Sequence, residues 1–288
     1  MRRLSLRSVT LALLVWPWLL APVAGDGEEH GDDVDSPEML AEIERLAKQY
    51  PETSGLPRYE RSGHQYTTFI VARAAGLSPK RAYLLSYFSQ FPDDERRFSA
   101  TLAAFYVHDL SYRKQIMAVL HSLHGGGHQA VLERRQDLAE LVAEGVRTGS
   151  LSDPQIGLVI HALADSYAHV TEKDGKLQAF GYVFGHLFHG HKPDVIAHDA
   201  QRYRAYTCAL FQALSGKADC TKELETLHAM IEGLKLSRNK ELPEFEKYAK
   251  REFGFDQDLY TAYGEERDLG KQDVVRTIEA MEAKLAAS

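Results

Sequence analysis

No stretch limits the possible folds of this chain as tightly as His161-x3-Asp165-x3-His169, set among the apolar residues of HALADSYAH. Steps of four residues on an α-helix advance about 400°, so the three side chains share one face, drifting about 40° per step over about 12 Å. Ionisable groups on an otherwise apolar face are costly to bury unless they find partners. That span is long for one metal ion and suits two, with Asp165 bridging and a histidine on either side. Farther on come His186, His189, His191 and Asp194 in GHLFHGHKPD, where His186 and His191 follow glycines that permit close backbone approach. His189 is the spare. Imidazole and carboxylate together select zinc or a similar transition metal, and two or three such ions close together activate water for hydrolysis.

Almost every other segment reads at helical period, which predicts an all-α fold, a bundle-like domain with a metal cleft between helices. Ser36-Pro37-Glu38 opens a helix that stops at Pro51, with proline suited to a first turn. An apolar helix runs from His64 to Gly76, and Ser78-Pro79 starts another that Pro92 is expected to end. Segments 100–107, 113–123 and 129–147 are periodic too, the last strongly amphipathic. Ser152-Asp153-Pro154 caps the histidine-bearing helix, and Pro193-Asp194 begins one that enters QRYRAYTCALFQAL. No strand pair with a hairpin turn stands out, and no repeat of 20–50 residues is visible. The domain reading is a helical metal-binding core over 36–215, followed by two or three outer helices over 216–288.

Residues 1–25 read as an export signal: basic MRRLSLR, apolar TLALLVWPWLL, then small residues near Ala24 and Gly25. An acidic leader occupies 26–35. The apolar run is short for a bilayer and no later stretch approaches eighteen apolar residues, so no membrane span is expected after cleavage. Location is then periplasmic or secreted. The chain has net charge −7, and loss of Arg2, Arg3 and Arg7 makes the mature form more acidic still. Such a protein grips phosphate backbones poorly by charge alone, so nucleic acid enters only as a substrate. Bound cations would reverse that locally. Cys208 and Cys220, the two cysteines, flank FQALSGKAD, and in an exported protein they suggest one disulfide closing a helix-loop segment. Two buried thiols or a weak zinc pair are the alternatives.

Further ligand candidates lie on separate expected helices: His64, Asp93-Asp94 after SQFP, and His121, His124 and His128 around HSLHGGGH. Helices packed side by side converge such residues at one cleft. Of these, His64, Asp94 and His124 are preferred, Asp94 and Asp165 being the expected catalytic carboxylates. The ordinary readings are helix capping for His64 and for Asp93-Asp94, and a plain turn for HGGGH. The latter has no Walker lysine and follows no strand, which excludes a phosphate loop. His108-Asp109 and His198-Asp199 are dipeptides that chance supplies often.

The order His64, Asp94, His124, His161 with Asp165, His169, His186 or His191, and Asp194 resembles the ligand order of the zinc-dependent phospholipase C and S1/P1 nuclease superfamily. Residues 60–210 also resemble an uncharacterised bacterial helical family, through HALADSYAH, Ala72-Arg73-Ala74-Ala75-Gly76-Leu77-Ser78 and Ser89-Gln90-Phe91-Pro92-Asp93-Asp94. The first resemblance implies an exported helical hydrolase with two or three zinc ions, acting on a small-molecule or phospholipid phosphoester. An HD-type phosphohydrolase built on His64, His108-Asp109 and Asp165 is the competing enzyme, although it leaves His169 and the 186–194 cluster without a role. A non-enzymatic exported zinc-binding or interaction protein is the third reading.

Overall fold

The computed structural model describes residues 61–100, 110–181, 196–234, 238–267 and 269–287. The expected export signal, the leader, the helix from Ser36, His108-Asp109, and His186, His189, His191 and Asp194 lie outside these residues. What is described is all-α apart from one small hairpin.

Helix α1 (Thr67–Ala74) is entered through a π-helical turn, Ser62–Tyr66, in which Tyr66 N–H reaches back five residues to Arg61 O at 2.8 Å. It ends beside Gly76, whose φ of +89° needs a residue without Cβ. Helix α2 (Pro79–Asp94) starts at Ser78, whose hydroxyl caps Arg81 N–H, with Pro79 in its first turn. Pro92 does not end it. A proline this late removes one N–H from the final turn, and the helix closes two residues on, where Glu95 N–H meets Phe91 O at 2.8 Å.

Helix α3 (Leu110–Lys114) passes into a second π-helical stretch, Gln115–Leu120, closed by His121 N–H to Ile116 O at 3.0 Å. Helix α4 (His128–Thr148) stops at Gly149 in the left-handed region. Helix α5 (Asp153–Ala168) opens on a capping box between Ser152 and Gln155. Strands β1 (Val170–Lys173) and β2 (Lys176–Ala179) then pair antiparallel, with Val170 opposite Ala179 and Lys173 opposite Lys176. This hairpin departs from the strand-free expectation. Its signal was Asp174-Gly175, both at positive φ, the turn that matches strand twist.

Helices α6 (Ala200–Ser215), α7 (Thr221–Gly233), α8 (Arg238–Phe253), α9 (Gln257–Glu265) and α10 (Lys271–Ala286) complete the fold. Cys208 on α6 and Cys220 before α7 are joined, with Cα atoms 5.4 Å apart. The last helices are more than an outer layer, since Phe245, Val274, Ile278 and Met281 sit in the core.

At the centre lies α5, buried along almost its whole length. It runs parallel to α2. Arg81 forms a two-pronged bridge to Asp153 at one end (2.7 and 3.0 Å to Oδ1), and a Cβ on Gly157 would stand 2.6 Å from Phe88 Cβ midway. That glycine lets the two backbones approach, and one turn later His161 reaches the backbone of Ser89.

Candidate metal centre

Four elements bring ionisable side chains to one buried point. His64 comes from the first π-helical turn, Asp93 from the end of α2, His121 from the end of the second π-helical stretch, and His161 and Asp165 from successive turns of α5. His64 and His161 are fully buried, and Asp93, at 8%, is the most exposed of the five. Both π-helical stretches sit at a candidate ligand, which suits their tendency to occur at functional positions.

The hydrogen bonds fix which ring nitrogens face inward. His161 Nδ1–H donates to Ser89 O at 2.8 Å, and His121 Nε2–H donates to Phe98 O at 2.8 Å. A carbonyl only accepts, so in its neutral form each ring spends its one proton outward and turns a bare lone pair inward. Those lone pairs, His161 Nε2 and His121 Nδ1, stand 3.0 Å apart, and each is 3.2 Å from Asp165 Oδ2. Two lone pairs and a carboxylate oxygen at these distances repel one another unless a further proton or a bound cation lies among them. Three donors of a tetrahedral zinc shell with bonds of about 2.0–2.1 Å stand about 3.3 Å apart. The triangle matches that spacing, and backbone carbonyls that accept the second N–H of a histidine are usual supports of metal-binding imidazoles. Side chains and geometry therefore fit a transition metal.

The other oxygen of Asp165 faces a different neighbour. His64 Nε2 lies 3.2 Å from Asp165 Oδ1 and 3.7 Å from Asp93 Oδ2, and its ring stacks on that of His161 with centroids 4.2 Å apart. Two overlapping donor groups result: His64, Asp93 and His161, and His121, His161 and Asp165.

His169 is near but differently engaged. It follows the last helical residue of α5, with φ −88° and ψ 49°, so the four-residue step no longer applies. Its Nδ1–H donates to His121 O at 3.0 Å, and the same nitrogen is 3.7 Å from Asp165 Oδ2. Burial, above all, lowers its pKa.

Two preferred candidates stand elsewhere. Asp94 is exposed, takes a hydrogen bond from Gln90 Nε2 at 3.3 Å and lies 4.0 Å from Arg61 Nη2; Asp93 holds the inward position. The cause is the continuation of α2 through Pro92, which carries Asp93 onto the face of Ser86 and Ser89. That buried polar stripe, Ser86, Ser89 and Asp93 at helical spacing, was the readable signal. His124 turns back on its own loop, where its Nδ1 accepts Gly126 N–H at 3.2 Å and burial brings its pKa down to about 4. His121 occupies the centre instead, because the wider π-helical turn shifts the angular order of the residues that follow.

Compared with models of known protein families, with curated proteins and with solved structures, the chain has no match.

Proposed function

We propose that this protein is a metal-dependent hydrolase of phosphoesters that uses zinc at the His121–His161–Asp165 centre. The carrying observation is the pair of imidazole lone pairs turned onto one carboxylate oxygen at 3.0–3.2 Å. Asp165 divides its oxygens between His121 and His161 on one side and His64 on the other; His121, His161 and Asp165 would hold one divalent ion, and His64 and Asp93 would be the residues to hold a neighbouring one. A bound divalent ion would supply acidified water and offset charge on a phosphoryl oxygen. The chain's own part is to fix ligand orientation through Ser89 O and Phe98 O and to exclude bulk water by burial. Asp93, beside exposed Asp94, stands where the cluster comes nearest to solvent, and its carboxylate is the group suited to orient a water there. Export belongs to the same reading and is supported by the Cys208–Cys220 link, which suits an oxidising compartment.

A second reading is favoured by the burial of the whole ligand set. Closed metal shells are structural as a rule, whereas catalytic ones keep an open position. A sealed ion would pin α1, α2, α3 and α5 together without turnover.

Elemental analysis of the purified chain, combined with hydrolysis of a chromogenic phosphodiester, separates the readings. The hydrolase reading expects bound zinc and turnover, both reduced together in Asp165→Asn. Tight zinc without turnover of diesters or monoesters leaves the sealed ion. Full metal content in Asp165→Asn, or none in the wild type, overturns both.

A further inference from the structure

Arg134 on α4 is buried, at 8% exposure, yet its hydrogen bonds go to neutral oxygens. Nη2–H donates to Ala118 O at 2.6 Å and to Val119 O at 2.9 Å, and Nε–H donates to Ser122 Oγ at 3.1 Å. All three acceptors lie within three residues of His121. The two carbonyls belong to the last turn of the π-helical stretch, where intrahelical donors run out. Leu123 N–H has already reached back to Met117 O, leaving the guanidinium to serve the next two carbonyls.

Ser122 carries the link further. It is one of two residues other than glycine with positive φ among the described residues, at +52°. That conformation is unfavourable for an L residue. Its hydroxyl holds it there, accepting from Arg134 and donating to Ala162 O at 2.7 Å. Ala162 directly follows His161. One chain of hydrogen bonds thus runs from α4 through the turn bearing His121 to the helix bearing His161 and Asp165.

We propose that Arg134 is a positioning residue for the metal centre, fixing through Ser122 the distance between His121 Nδ1 and the His161–Asp165 pair. This rests on the metal reading above. A buried cation is a poor choice for stability alone, since a well-packed apolar side chain of similar size often serves a core better. What the planar fork provides is three fixed directions at once, which lysine cannot reproduce.

The test titrates cobalt(II) into the metal-free full chain and records affinity and the visible ligand-field spectrum. Arg134→Met should weaken cobalt binding about 10- to 100-fold, the usual effect of removing a ligand's support, and should alter the spectrum. Ser122→Ala should do the same to a smaller degree, and it remains informative if Arg134→Met does not fold. Val142→Ala, a buried change farther along α4, lowers stability without touching the turn and should keep affinity and spectrum. Arg134→Met or Ser122→Ala with wild-type affinity and spectrum overturns the positioning role while leaving the metal reading standing. A wild-type chain that binds no cobalt overturns the metal reading itself.

Discussion

His121 and His124 are three residues apart and chemically identical, yet only one presents a bare nitrogen to Asp165. The difference lies in where each ring spends its hydrogen bonds. His121 donates outward to Phe98 O and keeps Nδ1 for the centre, whereas His124 uses Nδ1 to accept Gly126 N–H. His121→Ala should therefore lower zinc affinity by more than about 100-fold, beyond the usual effect of losing a supporting group. His124→Ala should leave it within a few-fold. Competition with a chromogenic chelator measures both, and equal losses would refute the assignment.

Helix packing sets the distances that these side chains inherit. The contact of Gly157 with Phe88 holds α5 against α2 one turn before His161, so Gly157→Ala should push the helices apart. Overpacking of this kind costs about 1–3 kcal/mol, which outweighs the roughly 1 kcal/mol that alanine gains in a helix. Thermal unfolding should show a lower midpoint, and metal affinity should fall with it; an unchanged midpoint would mean that the interface yields. Helix α5 itself was legible because capping box, periodicity and apolar composition agree over one continuous segment. His161 and Asp165 were legible for the same reason. Asp93 was harder to find, because the choice between it and Asp94 turns on whether α2 continues past Pro92, which tertiary packing decides. His121 was hidden by a π-helical turn that no α-helical period anticipates. The β1–β2 hairpin had its Asp174-Gly175 signal, but strands of four residues are too short for alternation to stand out.

Stability of the molecule should respond to acid through histidines away from the centre. His228 on α7 is buried, with its Nε2 2.8 Å from Thr207 Oγ1 on α6; burial first, then Arg204, bring its pKa from 6.5 down to about 4. Above pH 6.5 the ring is neutral in the folded and unfolded chain alike. Between pH 6.5 and 4 the unfolded chain binds a proton that the folded one refuses, so this stability is lost as pH falls through that window. The unfolding midpoint should drop across it, and His228→Gln should flatten the slope relative to wild type. A variant with the wild-type slope would show that His228 protonates without strain. The Cys208–Cys220 link, which spans the same α6–α7 corner, has a consequence of another kind. The loop it encloses, Gly216 to Asp219, is exposed and contains Lys217. A protease that cuts the chain there produces no separate fragments: the two pieces stay one covalent molecule, and a denaturing gel resolves them only after reduction.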